Sequence, residues 1–238
     1  MRTVAMMLLV SPLVVGCATV PTESVSNQSM TAWKGKTVAF TSRPRPSMVM
    51  MTAGKAAFGL IGVAAGVSAG NALVKQDNIP DPAPLVAHDL LQIAAQQYGV
   101  VPASLPPAAV DTRDIAQLAK AGTGADLLFD VESLGQGVNY FATDWSHYWL
   151  MSGLILRVID VHSGTVVGQA VCRQNSQHQA NPPSKDELLA NGGQVLKSMI
   201  TAQSDACRNL FAAQVLKVSA PQTASADIQA PVAPGSSH

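Results

Sequence analysis

Four stretches of the chain read as β-strands from their alternating or continuous apolar runs: 36–41, 126–134, 149–161 and 165–173. The first is stopped by Arg43-Pro-Arg-Pro46, whose prolines cannot donate to a sheet ladder. Helical spacing appears between them. After Asp81-Pro82, the residues Val86, Leu90, Ile93 and Ala94 fall on one face, and Gly99 ends the run. Asp81 suits the capping position and Pro82 the first helical position. A shorter helix is expected from Asp111 to Ala121, broken by Gly122-Thr-Gly124. A long one is expected over 185–217, with Leu196, Met199, Ile200, Cys207, Leu210 and Phe211 as its apolar stripe. His162-Ser163-Gly164 reads as a tight hairpin turn.

The order is β-α-α-β-β-β-α. It predicts an α+β domain with a mixed or mainly antiparallel sheet of about four strands and helices packed on it. The domain is expected over 33–218. Residues 17–32 (polar and without period) read as a flexible tether, and 219–238, rich in Ala, Pro, Ser and Gln, as a disordered tail.

One segment does not fit this alternation. Residues 56–74 carry no charge and are bracketed by Lys55 and Lys75, within an expected Gly/Ala-rich helical insertion at 52–75. Gly59, Gly62, Gly66 and Gly70 recur at helical spacing and would leave a groove on a helix. Three uses are open: a membrane-inserted helix, a glycine contact between copies, or helices packed tightly on the domain itself. Each glycine costs an isolated helix about 1 kcal/mol against alanine, so a helix here needs packing to hold it.

The N-terminus changes the picture of where the domain resides. Arg2 precedes an apolar stretch from Val4 to Val15 that is too short to span a bilayer. It ends in Val14-Val15-Gly16-Cys17. This resembles the bacterial lipobox, in which small residues let a lipid-transferring enzyme reach the cysteine thiol. The resemblance implies a signal peptide over 1–16, cleavage between Gly16 and Cys17, and acyl chains such as palmitate on Cys17. Two or more chains, at about 0.8 kcal/mol per buried CH2, anchor stably. Ala18 follows the cysteine, and by the same resemblance this favours an outer-membrane lipoprotein facing the periplasm.

Composition adds mainly exclusions. Lys plus Arg and Asp plus Glu both number 15, so the net charge is zero and no basic stripe invites nucleic acid. None of the five histidines stands at metal-ligand spacing, and no phosphate-binding glycine loop or nucleophile elbow occurs. No cofactor, metal or catalytic residue is expected. Asp126, Asp130 and Glu132 alternate along one strand; two or three carboxylates on one face could bind a cation, but a solvated sheet face is the expected reading. In an oxidising compartment Cys172 and Cys207 either pair as a disulfide or remain as two buried thiols.

Tyr140, Phe141, Trp145, Tyr148 and Trp149 place five of the eleven aromatic residues within ten positions. Exposed, they suit recognition of a protein or a membrane interface; otherwise they cover the sheet edge as core. The element order and the hairpin at 156–167 are similar to the periplasmic α/β domains of CsgG-like and LpoB-like lipoproteins and the TolB N-terminal domain. That resemblance implies an architecture and carries no site residues. The expectation is a non-enzymatic, lipid-anchored binding or assembly protein with an envelope protein partner. The alternative is an oligomeric pore or secretion-associated lipoprotein built on the glycine-spaced segment.

Overall fold

The computed structural model describes residues 20–218. The expected signal peptide and lipobox, with Gly16 and Cys17, and the expected tail from 219 onward lie outside the described residues.

Three long strands form the frame. β5 (Leu127–Phe141), β6 (Asp144–Asp160) and β7 (Thr165–Asn175) are antiparallel neighbours. Four shorter strands complete a seven-stranded mixed sheet: β1 (Thr37–Ser42), β2 (Met48–Met50), β3 (Val101–Pro102) and β4 (Ala108–Ala109). β1 and β2 both run parallel to β5 along the same edge, β1 at Leu127–Phe129 and β2 at Gln136–Val138. The expectation of about four strands therefore falls short. β2, β3 and β4 are two or three residues long, too short to show an alternation in sequence.

Two of the long strands exceed their sequence reading. β5 continues past Leu134 through Gly135-Gln-Gly137, residues of low strand propensity that are held by pairing on both sides. β6 begins at Asp144, so the aromatic run becomes the end of a long hairpin. Between Ser133 and Gly135 the β5–β6 register slips by one at a β-bulge. Odd-numbered residues Leu127, Phe129 and Val131 face the helices before the bulge; the even-numbered Val138 and Tyr140 do so after it.

α4 (Pro82–Tyr98) and α6 (Lys185–Gln214) form one layer on that face. α4 starts at Asp81, whose side chain accepts from the Ala83 N–H, and ends at Gly99 in the left-handed region. α6 starts in a capping box between Ser184 and Glu187. It is interrupted at Asn191, Gly192 and Gly193, all three at positive φ, where one unbroken helix is expected. Val86, Leu90 and Ala94 of α4 and Cys207 and Phe211 of α6 pack with Phe129, Val131, Leu154, Leu156 and Val158 of the sheet. Cys172 of β7 and Cys207 of α6 form a disulfide, with Cα atoms 5.4 Å apart. α5 (Ile115–Ala121) is capped by Asp114 rather than Asp111 and packs on the opposite sheet face.

Residues 23–31, read from sequence as part of a flexible tether, are docked onto the domain. Glu23 bridges antiparallel to Gln169 of β7. Val25 is fully buried, and α1 (Asn27–Thr31) is capped by Ser26 and covers Trp33 and its neighbours. Polarity and missing period hid this segment, which is seated by Val25 beside Val215 and by Met30 in the core.

The glycine-spaced segment is two helices, α2 (Ala53–Ala56) and α3 (Gly59–Gln76). α3 lays its glycine face on β2. A Cβ on Gly62 would collide with the Lys55 carbonyl, one on Gly70 with the Met48 carbonyl, and one on Gly66 would press on Val49 Cγ1 at 3.3 Å. Gly59 stands apart at positive φ, with open space around it. The groove that the spacing predicts is thus filled by the chain's own backbone, and Asn71 fixes the contact by accepting from the Met48 N–H at 3.1 Å.

Candidate functional site

The sheet face opposite α4 and α6 divides into three zones along β5 and β6. In the first, Leu128 and Ile159 are covered by Leu118 and Ala119 of α5. In the second, charged side chains form a ladder. Asp130 is 0% exposed and Glu132 is buried, against the expectation of a solvated face. Asp130 accepts hydrogen bonds from Arg43 Nε (2.7 Å), Arg43 Nη2 (3.0 Å), Arg157 Nη1 (2.7 Å) and Thr41 Oγ1 (2.8 Å). Glu132 accepts from Arg157 Nη1 at 3.0 Å and Arg113 Nε at 2.7 Å. Burial works to raise the Glu132 carboxyl, but the hydrogen bonds from Arg113 and Arg157 outweigh it and hold the group below its ordinary value. The same bond holds the Arg113 guanidinium above its ordinary value.

The arginines explain the failed expectation. Those bound to Asp130 sit 27 or more residues from it in sequence, and those bound to Glu132 sit 19 or more, so no local pattern reveals them. The ladder is saturated: every carboxylate oxygen of Asp130 and Glu132 accepts at least one bond. It is a structural clamp between the edge strand and the frame, with no carboxylate left to act on a substrate.

The third zone is uncovered. Beyond the bulge, Leu134, Gly137, Asn139, Trp149, Met151 and Gly153 line an open trough of about 600 Å³, walled by Val49 and Arg173. Gly137 and Gly153 lower its floor; a Cβ at either would press on Met151 or Leu134 at 3.3 Å. Trp149 Nε1 donates to the Tyr140 carbonyl at 3.3 Å, so the indole offers a ring face rather than a donor. Sequence reasoning missed Met151, Gly153 and Asn139. Their only signal is the odd-numbered alternation of β6 with its cross-strand partners.

The five aromatics do not form one surface. Tyr140 and Tyr148 are cross-strand partners on the helix face, and Tyr148 is buried among Leu150, Leu188 and Leu196. Phe141 pairs across from Asp144 and is half-buried. Trp149 belongs to the trough. Trp145 alone stands out at the hairpin end, 68% exposed, with its Nε1 donating to the Ala142 carbonyl at 3.0 Å.

Beside Trp145 lie Asp144, Ser146 and His147, an acid, a hydroxyl and an imidazole. Asp144 Oδ2 and Ser146 Oγ both approach Nδ1 of His147. A nucleophilic relay needs the hydroxyl and the carboxylate on opposite ring nitrogens. The trio is a turn clasp. Among the described residues no group of three His, Cys, Asp or Glu is placed to hold a metal. No described helix is long and apolar enough to cross a membrane.

No family model matches the sequence, and no curated protein matches it. Several solved structures align over most of its length. PelC from Paraburkholderia phytofirmans, a dodecamer, is 16% identical over 78% of this chain and 93% of its own, with a TM-score of 0.30. Lipoprotein GNA1162 from Neisseria meningitidis is 13% identical over 71% and 99%, at a TM-score of 0.23. The C-terminal domain of LpoB from Escherichia coli is 14% identical over 62% and 93%, at 0.18. At such scores these likenesses carry no argument about fold, assembly or role.

Proposed function

We propose that this chain is a non-enzymatic binding or assembly protein of a bacterial envelope, held by lipid on Cys17. We place its partner, another envelope protein, in the trough beside Trp149. The observation that supports binding is the trough itself. A sheet normally covers both faces or solvates one with polar residues. Here Leu134, Trp149, Met151 and two glycines make an uncovered apolar floor, rimmed by polar side chains such as Asn139, Arg173 and Gln174. A half-buried tryptophan ring over a glycine floor offers a rigid apolar anchor site, of the kind that dominates protein recognition. The anchor on Cys17 and the outer-membrane address rest on the lipobox and Ala18. The pore alternative would need the glycine groove as a surface between copies, and that groove is already filled by β2 at Gly66 and Gly70 and by Lys55 of α2 at Gly62.

A photo-crosslinking residue at Met151 tests the reading in living cells. The expected result is a discrete adduct with one envelope protein, absent with the same residue at exposed Gln97 on α4. Equal, diffuse adducts from both positions would dismiss the trough as a binding site. Palmitate-analogue labelling of wild type but not Cys17→Ala tests the anchor separately.

A further inference from the structure

β7 is the outermost strand on its side of the sheet. Its outer edge is occupied at one residue. Gln169 donates its N–H to the Glu23 carbonyl at 2.8 Å and accepts from the Glu23 N–H at 2.7 Å. In an antiparallel ladder alternate residues turn both backbone groups to the same side. Gln169 therefore fixes Val171, Arg173 and Asn175 as the outward set. The inward bond from the Ser176 N–H to the Leu150 carbonyl, at 2.9 Å, has the matching phase. The N-terminal segment does not continue along these residues. In the register of Glu23, Pro21 would stand opposite Val171, and proline has no N–H to give. Among the described residues, none bonds from the outer side to the backbone of Val171, Arg173 or Asn175.

An open row of backbone donors and acceptors is a template for a further strand. This one adjoins the trough. Arg173 and Asn175 pair with Gly153 and Met151 of the trough floor, and both line its wall. A strand laid along β7 would widen the sheet and set every second side chain on the trough's side. The wall also carries a charge. Arg173 is the one charged residue among the described residues that line the trough. It is exposed and, unlike Arg43, Arg113, Arg157 and Arg208, forms no ion pair with a described residue. An unpaired guanidinium beside an open ladder is complementary to a carboxylate on the incoming strand, since opposite charges across a strand pair are favourable.

From this we propose that the envelope partner enters as an extended segment that pairs with the open edge of β7 over 171–175, with an acidic side chain beside Arg173 and apolar side chains toward the trough. The inference rests on the reading of the trough as the partner's seat. It adds the partner's conformation and its chemistry. Main-chain bonds to the edge supply affinity, and alternate side chains supply the choice of partner. A second copy of β7 fits this edge less well. The antiparallel self-pairing that uses all three open residues sets Arg173 directly against Arg173, and like charges so placed are destabilising.

The test reads the photo-adduct at Met151 of the full-length protein in living cells while the edge is varied. Val171→Pro deletes one outward N–H, at an edge position where proline leaves the inner ladder intact. Val171→Thr keeps that N–H. Arg173→Glu reverses the exposed charge, and Arg173→Lys keeps it. Val171→Pro and Arg173→Glu are expected to lower the adduct several-fold, while Val171→Thr and Arg173→Lys leave it near the wild-type level. An adduct undiminished in Arg173→Glu, or in a Val171→Pro protein that melts like wild type, would overturn the strand pairing and leave the trough standing. Absence of any discrete adduct from Met151 with the edge unaltered would overturn both. An adduct made only of this chain would give the edge to a second copy and overturn the partner segment.

Discussion

Asp130 on β5 and Arg157 on β6 are direct cross-strand partners, and the Arg157 Nη1 donates to Asp130 Oδ2 at 2.7 Å in the dry middle of the sheet face. The same Arg157 nitrogen reaches Glu132, while Arg43 reaches Asp130 from the edge strand. Removing the central carboxylate leaves Arg43 with no hydrogen-bonded carboxylate and Arg157 with Glu132 alone, and both guanidiniums are only 9% exposed. Asp130→Ala is expected to cost about 3–5 kcal/mol, the range for breaking a buried pair. Arg113→Ala removes a partner that is mostly exposed and should cost less than about 1 kcal/mol. Urea unfolding midpoints of the two variants separate the cases. Equal small shifts would mean that the ladder is solvated in solution.

Gly70 and Gly54 are both helical, and alanine at either gains up to about 1 kcal/mol of intrinsic propensity. Their surroundings reverse the outcome at one of them. Nothing lies within 4 Å of a Cβ at Gly54, so Gly54→Ala should be neutral or stabilising. At Gly70 the new methyl meets the Met48 backbone, which cannot rotate away. Gly70→Ala should destabilise by roughly 1–3 kcal/mol, the usual scale of overpacking. Differential scanning calorimetry of both variants checks the sign. A Gly70→Ala protein as stable as wild type would show that α3 does not sit on β2.

Local signals and distant ones differ in how legible they are from sequence. α4 is legible in full because its signals are local: Asp81 and Pro82 at one end, Gly99 at the other, and an apolar face between them. The Cys172–Cys207 pair is likewise a choice among very few thiols. The ladder is not legible, since its charges converge from four separate segments and each looks like an ordinary surface residue in its own window. The bulge at Leu134 is hidden for another reason. It exchanges which residues face the core halfway along β5, so an alternation read from Leu127 points the wrong way at Asn139. That exchange is what places Trp149 and Asn139 together in the trough and sends Tyr140 and Tyr148 to the helix side.

The disulfide ties the β7 edge to the middle of the second half of α6. It closes a 35-residue separation, which chain entropy values at roughly 3–4 kcal/mol. Cys172→Ala with Cys207→Ala is expected to lower the urea midpoint accordingly, and reductant should shift wild type but not the double variant. Alkylation of envelope material under non-reducing denaturation should modify neither cysteine. Recovery of both as alkylated thiols would remove the bond and its contribution.

Acid stability carries a further signature at the first strand pair. The Thr37 backbone N–H and hydroxyl donate to Asp126 Oδ2 at 2.7 and 2.8 Å, and His162 Nε2 lies 3.1 Å from Oδ1. The two Thr37 bonds, then the His162 contact, lower the Asp126 carboxyl from an ordinary 3.8 to about 2. The folded state therefore binds this proton more weakly than the unfolded chain. The resulting stabilisation is complete above about pH 4 and disappears as pH falls through about 2. Asp126→Asn lacks the carboxylate at every pH, so it should be less stable than wild type at pH 6. The two should converge toward pH 2, leaving the variant with a flatter melting-temperature profile over that range. Parallel profiles for the two proteins would mean that Thr37 does not hold the ionised group, and that the start of β1 is joined to β5 by backbone pairing alone.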